Sequence, residues 1–424
     1  MATKTETIQD LKNESLTPRS TAFLLGHTKE EQEFFDCFKS GNFHHSWIIT
    51  GPKGIGKATL AYRIIRYIFS LSNQNLLKDL NINTTLDFSN IENTSLDFED
   101  DDYNDDYNNE YDYEEENVSQ STSSSNVSVK KSDILNNLDN SPLKLQPTNS
   151  IFERLLAGGL TDLKVVEREY SNDAKTKLNS EIKIEQIREL KEFFSKTSSE
   201  GGYKIGIIDC VDEMNEKSRN AILKILEEAP NKSLLILICN NYEGLLDTIK
   251  SRCRILKLKP LSDDIMTTLI SEYIPNISEE DVKKLIFLSE GSIGTALDFY
   301  NSNGLEILQS FYELFPDILM KKNQKLTTLL NLIGYSEIKL KIFEKVFITF
   351  INNLIKLNSN INVNFASNEV ERITKYCHQY FSNSDKLFKI REEILSNFEL
   401  TPLLNLDYAS VVISAFERLK NVYR

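Results

Sequence analysis

The sequence predicts an α/β domain, a mostly parallel sheet covered on both faces by helices, followed by a small helical domain and an all-α C-terminal domain. Three observations predict it. Short apolar runs alternate with helical periodicity up to about residue 260, a GxxxxGK segment stands directly between such a run and a helix, and past Pro260 only helical periodicity is found.

In chain order, Met1 to Ser20 alternates charged and polar residues and lacks the roughly 7–15 apolar residues of a signal peptide, so residues 1–21 read as a tail of a cytosolic protein. Trp47, Ile48, Ile49 and Thr50 form the first strand, with His44 and His45 expected in the loop before it. Leu60, Ile64, Ile65, Ile68 and Leu71 then recur at helical spacing. From about 72 to 150 Asp, Glu, Asn, Ser and Tyr dominate, ending in the serine-rich stretch Ser119 to Ser128 and its polar sequel. Such a segment cannot bury enough apolar surface to offset chain entropy, so a disordered insertion is expected within an α/β domain of residues 22–260. Whether Tyr103, Tyr107, Tyr111 and Tyr113 make it an interaction tail or a solvated loop stays open.

Beyond the insertion, Ile184, Ile187, Leu190 and Phe194 mark an amphipathic helix that Gly201-Gly202 stops ahead of a strand over Lys204 to Asp209. A helix over Glu216 to Glu228, closed by Ala229-Pro230, leads into the unbroken apolar run Leu234 to Cys239, which suits a buried parallel strand. Segments Asp263 to Tyr273, Ser278 to Glu290, Ser336 to Leu357, Ser384 to Phe398 and Tyr408 to Val422 are helical by periodicity, with Ser or Asp placed to cap them. They divide into a helical unit at 261–312 and a second at 313–424.

At roughly 150 residues per domain, 424 residues allow two to four domains. The formal charge of −14 is local: Asp97 to Glu116 holds twelve acidic residues and no basic one, and the remainder balances 49 basic against 51 acidic residues. Net charge therefore says nothing against a basic surface elsewhere. No apolar run approaches the roughly 18 residues of a membrane span. Five cysteines without a CxxC pair argue against a disulfide framework or a cysteine-rich zinc site, and the four histidines, His27, His44, His45 and His378, have no ligand spacing, so no metal site is expected.

Gly51-Pro52-Lys53-Gly54-Ile55-Gly56-Lys57 matches GxxxxGK between a strand and a helix. In that setting backbone N–H groups and the helix N-terminus cradle phosphate oxygens, and Lys57 reaches the outer phosphates. The alternative is a glycine-rich turn with an incidental lysine. Ala58 follows where a working loop places Ser or Thr as a Mg²⁺ ligand. Thr59 does not replace it, because one further residue rotates a helical side chain by about 100°. Asp209 ends the apolar strand of Ile205 to Ile208 and could bind Mg²⁺ through a water, but the next residue is Cys210, whose thiol is a poor base for water. Asp212 and Glu213 are nearby alternatives that start from a different place and direction, or else solvated residues at the start of the next helix.

Gly26-His27, His45 to Thr50, the run Ala221-Ile222-Leu223-Lys224-Ile225-Leu226-Glu227-Glu228-Ala229-Pro230 and Thr248-Ile249-Lys250-Ser251-Arg252-Cys253 together resemble the clamp-loader branch of the AAA+ ATPases. The likeness covers about residues 22–71 and 151–300; the C-terminal helices share only length and helical character. It implies an AAA+ domain, a helical lid and a collar-like domain in a pentamer that opens a ring-shaped sliding clamp and places it on primed DNA. It also implies active sites between neighbours, to which Arg252 would contribute an arginine finger, worth about 10³–10⁵ in rate. The alternative for Arg252 is closure of a loop against a helix C-terminus, while Ser251 and Cys253 are read as shaping and packing that turn. Active members carry an Arg within Gly-Ser-x-Arg; here Gly291-Ser292-Ile293-Gly294 has Gly294 in that place. Asn240 stands where the family keeps a polar residue near the γ-phosphate; the alternative is an ordinary polar end to the strand before it.

Three departures, Ala58, Cys210 and Gly294, thus fall on one function, hydrolysis at this chain's own site. The expected cofactor-binding set is Gly51, Pro52, Lys53, Gly54, Ile55, Gly56, Lys57, Ala58, Thr59, Asp209 and Asn240, as a vestigial site: no cofactor is required, and weak binding of ATP or ADP stays open. The implied partners are other loader subunits of gamma/tau and delta type, the sliding clamp and primed DNA, with no membrane. Two readings compete with this scaffold: an active loader ATPase using Lys57, Asp209 and an unconventional base, and an unrelated AAA+ helicase loader or remodeller that would form rings of its own.

Overall fold

The computed structural model describes residues 17–41, 43–72, 139–145, 149–170, 179, 181–199, 202–319 and 325–422. Most of the expected insertion, residues 73–138 with its acidic run and tyrosines, lies outside the described residues, as do residues 1–16 of the tail. The chain rejoins the folded domain earlier than expected. Asp139 and Leu143 are both buried, and a helix already begins at Ser150.

Five strands form one parallel sheet in the order β2-β3-β4-β1-β5: β1 (Ser46–Thr50), β2 (Leu163–Val166), β3 (Lys204–Ile208), β4 (Ser233–Cys239) and β5 (Arg254–Lys257). β1 lies between β4 and β5, with Thr50 opposite Cys239 on one side and Lys257 on the other. Side-chain alternation sends each strand's residues to two cores. Trp47, Ile49, Ile205, Ile207, Ile236 and Ile238 meet helices α1 (Thr28–Lys39), α2 (Lys57–Ser72) and α3 (Ser150–Leu156). Ile48, Ile208, Leu235, Leu237 and Cys239 meet α4 (Ile184–Ser195) and α5 (Glu216–Glu227). Burial on both faces is the reason β4 reads as an unbroken apolar run.

A short helix α6 (Asp247–Lys250) precedes β5, and beyond Pro260 helices alone follow among the described residues. They are α7 (Asp263–Tyr273), α8 (Glu279–Ser289), α9 (Ile293–Asn301), α10 (Gly304–Leu319), α11 (Leu326–Ile333), α12 (Glu337–Asn358), α13 (Asn368–His378), α14 (Ser384–Leu404) and α15 (Tyr408–Lys420). Three of the expected caps form, with Ser278, Ser336 and Asp407 accepting from the backbone N–H groups of Asp281, Lys339 and Ser410, whereas Ser262 ahead of α7 makes no side-chain cap bond and α14 is capped by Asn383. The boundary expected at 312 does not coincide with a break in packing. It falls inside α10, where Phe311 and Phe315 pack against the rings of Phe350 and Phe416, and one apolar core takes in Leu25 and residues from Leu261 to Val422. The rings of α10 pack on α12 and α15, and α10 also packs against α9 on the other side of that boundary, so a hinge there would expose apolar surface to water.

Candidate functional site

The glycine-rich loop leaves the C-terminal end of β1 and turns into α2 at Lys57. Its glycines have φ of +148° (Gly51), +79° (Gly54) and +107° (Gly56), backbone that a side chain strains and a tight loop needs. Pro52 and Lys53 are exposed, Ile55 is a core residue, and Ala58 packs beside the core with no hydroxyl to offer. Thr59 is half-buried, one step around the helix from that place. His27, the residue ahead of α1, is buried, and its Nε2–H donates to the carbonyl of Ile55 at 2.8 Å. Burial lowers its pKa, so the ring is a neutral buttress for the loop, and its buried Nδ1 has no partner among the described residues.

Lys57 is buried, and its ammonium donates to Gly51 O at 2.7 Å and Pro52 O at 2.6 Å. Burial pulls its pKa down, while neighbouring groups that include Cys210, Asp212 and Asp209 act in the opposite direction. The fold therefore brings Lys57, Asp209, Cys210 and Asn240 into one neighbourhood, although Lys57 and Asp209 are 152 positions apart in sequence.

Cys210 has left-handed backbone, φ +62°, at the end of β3. Its thiol accepts from Asn240 Nδ2 at 3.3 Å and lies 3.5 Å from Asp209 Oδ1. Burial, then the charge of Asp209, pushes the thiol up to about 12, so it stays protonated at neutral pH and cannot act as a base. Neither nearby carboxylate is free to replace it. Asp212 accepts from the backbone N–H groups of Asn240 (3.1 Å) and Asn241 (3.3 Å), and Glu213 pairs with Arg168 at 2.7 Å. Both were read from sequence as solvated alternatives; the structure ties them into the turn instead.

The lid helix α9 closes on the loop. Ser292 Oγ donates to Lys53 O and the Gly294 N–H donates to Gly54 O, each at 2.8 Å. A Cβ at position 294 would lie 2.8 Å from the Gly54 Cα, inside any real contact. The sequence marked Gly294 only as a missing arginine; that it seats the lid on the phosphate loop had no local signal.

Arg252 lies elsewhere. It sits between α6 and β5, and since β5 runs parallel to β1 with Arg254 opposite Trp47, it stands at the opposite end of the sheet from the loop that follows Thr50. The separation along the strands is at least about 10 Å. Its guanidinium donates from Nη1 to Thr248 O (3.0 Å) and Ser251 Oγ (3.3 Å), and Nη2 lies 2.9 Å from Glu227 Oε1. The side chain is still 38% exposed. Cys253 packs on the core below α5, and Ser251 donates to Thr248 O, so the flanking residues shape the turn.

Among the described residues no cluster of His, Cys, Asp and Glu could hold a metal ion, and no helix is long and apolar enough to cross a membrane. The loop's backbone and the start of α2 fit phosphate oxygens; Ala58 offers nothing to a Mg²⁺ ion beside them.

Comparison with known proteins supplies the relatives. A family model described as DNA polymerase III, delta subunit, matches residues 26–262, more than half of the chain. The DNA polymerase III subunit delta' of Bacillus subtilis is 44% identical over 80 residues, covering 19% of this chain and 24% of that protein. Subunit delta' of Buchnera aphidicola subsp. Acyrthosiphon pisum is 30% identical over 217 residues, 48% of this chain and 61% of that one. The DNA polymerase III subunit gamma of Buchnera aphidicola subsp. Schizaphis graminum is 33% identical over 123 residues, 28% and 34% respectively. The chain thus spans less than two thirds of the length of each of these relatives.

Proposed function

Since the chain belongs to the DNA polymerase III delta subunit family, within the clamp-loader branch of that polymerase's subunits, we propose that it acts in the manner of a delta-prime subunit. In this reading it is an AAA+ scaffold that does not hydrolyse ATP at its own site and lends Arg252 to a neighbouring ATPase subunit while the sliding clamp is loaded on primed DNA. Its partners are loader subunits of gamma/tau and delta type, the clamp and primed DNA, and its place is the bacterial cytoplasm.

The observation that carries this is the seating of Gly294 on Gly54. Where an active subunit would need a cation aimed at the outer phosphate, this chain has a glycine whose N–H is committed to the loop itself. Three further features support the same conclusion. The thiol of Cys210 is protonated, Ala58 lacks a metal-binding hydroxyl, and the Lys57 ammonium is turned onto two carbonyls of its own loop. Arg252 stands too far from its own loop to serve it, which favours action on another chain. Were ATP or ADP to bind, the amides of the loop and Lys57 would hold its phosphates, weakly and without a protein ligand for Mg²⁺ at position 58.

A second reading, an active gamma-type ATPase, has one observation in its favour: relatives named gamma match this chain over lengths similar to those named delta'. The test is ATP hydrolysis by the purified protein and by Lys57→Ala. The scaffold reading expects background rates in both; turnover that falls in the variant would establish the motor instead. Reconstitution of the loader with Arg252→Ala is expected to lower its ATPase without loss of assembly.

A further inference from the structure

We infer that Glu227 is the positioning residue that presents Arg252 to the neighbouring subunit, an inference that rests on the finger reading above. An arginine on a long flexible stem loses rotamer freedom when it is ordered. A finger already held in place avoids that loss at the moment of reaction.

The backbone under Arg252 is fixed first. Its N–H donates to Ile249 O at 3.1 Å, and Cys253 anchors the next position against the core. The side chain is then gripped from two helices. Thr248 O and Ser251 Oγ take Nη1, and Glu227 Oε1 lies 2.9 Å from Nη2. Glu227 is the last residue of α5, and that end is pinned by His45, whose Nε2–H donates to Leu226 O at 2.9 Å. The carboxylate therefore stands on a rigid element, not on a loop.

A guanidinium has five N–H donors. Hydrogen bonds engage the two on Nη1, Nη2 faces Glu227 as an ion pair, and Nε–H and the Nη2–H turned away from the carboxylate have no partner among the described residues. Two donors remain for a phosphate oxygen, on a side chain that is 38% exposed. Because both partners are half in water, the carboxylate's charge is screened. Its restraint on the side chain outweighs its competition with phosphate for the positive charge.

The test uses the full-length chain reconstituted with gamma-type and delta-type subunits, following ATP hydrolysis with clamp and primed DNA. Glu227→Ala should lower kcat roughly three- to ten-fold with KM for ATP unchanged. Glu227→Gln, which keeps an acceptor oxygen in place, should recover most of the rate. In an Arg252→Ala background Glu227→Ala should cost nothing further, since it acts through Arg252. Should Glu227→Ala fail to assemble, Glu227→Asp decides: withdrawing the carboxylate by one methylene is expected to lower kcat, and an unchanged rate overturns the proposal. A kcat that is unchanged or raised in Glu227→Ala, or a further loss on top of Arg252→Ala, also overturns it while leaving the finger reading intact. If Arg252→Ala by itself leaves kcat unaltered, the finger reading falls and this proposal with it.

Discussion

Gly294 and Gly54, 240 positions apart in sequence, meet backbone to backbone, the N–H of one donating to the carbonyl of the other at 2.8 Å. This contact joins the helical lid to the phosphate loop without any side chain between them. It also accounts for both residues being glycine: a Cβ on Gly54 would lie 2.5 Å from Ser292 Oγ, and one on Gly294 would lie 2.8 Å from Gly54 Cα.

Gly294→Ala forces that joint apart. A stability loss of about 1–3 kcal/mol is expected, the usual cost of overpacking. Hydrogen exchange followed by mass spectrometry should show faster exchange for the loop of residues 51–57 than in the parent. Unchanged exchange there would mean that the lid is held by other contacts.

Cys210→Glu returns a carboxylate to the position that precedes the short turn Val211–Glu213. No hydrolysis is expected, because Ala58 and Gly294 still leave the metal and the outer phosphate without their partners. The left-handed backbone at position 210, φ +62°, already costs about 1–2 kcal/mol with Cys in place, so Glu adds no new backbone strain there. Measured ATP turnover above background in this single variant would contradict the account.

Arg63 on α2 and Asp139, at the point where the described chain resumes, form a buried ion pair in which the single nitrogen Nη2 lies 2.7 and 2.8 Å from the two carboxylate oxygens. Arg63→Ala leaves a buried carboxylate without its cation, and a loss of about 3–5 kcal/mol is expected. Asp139→Ala added to it should cost much less than the sum of the two singles, with coupling of about 1–3 kcal/mol. Urea unfolding of the two single variants and the double variant gives the cycle.

Glu31 shares that site, buried with neither oxygen accepting a hydrogen bond among the described residues and with Oε1 3.5 Å from Arg63 Nε. Burial raises its pKa to about 8, against the opposing charge of Arg63. The folded protein therefore keeps a proton that the unfolded chain has lost, and stability falls as pH rises from the ordinary carboxyl range through about 8. The loss is on the order of a few kcal/mol. Glu31→Gln removes the ionisation, so its stability should change far less between pH 6 and pH 8.5. Parallel urea curves at the two pH values measure it, and equal pH slopes in parent and variant would exclude Glu31 as the source.

Much of the fold was readable because its signals are local. The phosphate loop needs only glycines at fixed spacing between a strand and a helix, and the central strands β1, β3 and β4 declare themselves because both of their faces are buried. The edge strands β2 and β5 do not. Residues such as Lys164 and Arg254 interrupt their apolar pattern, and each is secured by pairing with a neighbour that sequence does not identify. Helix α1 was missed although Phe34 and Cys37 face the core, since His27 caps it with no side-chain bond. The buried Asp139 was assigned to the polar insertion because composition cannot see Arg63 across the intervening chain.

Residue order alone set the parallel α/β architecture, the helical second half, the glycine-rich loop between strand and helix, and the residues Ala58, Cys210 and Gly294 on which the proposed loss of hydrolysis rests, because each of these is a property of identity at a position or of short-range spacing. The closure of the lid on the loop, the remoteness of Arg252 from that loop and its grip by Glu227 arose only in three dimensions. They depend on the parallel register of β1 with β5 and on how helices stack over the sheet, and such long-range packing leaves no periodicity in the chain to announce it.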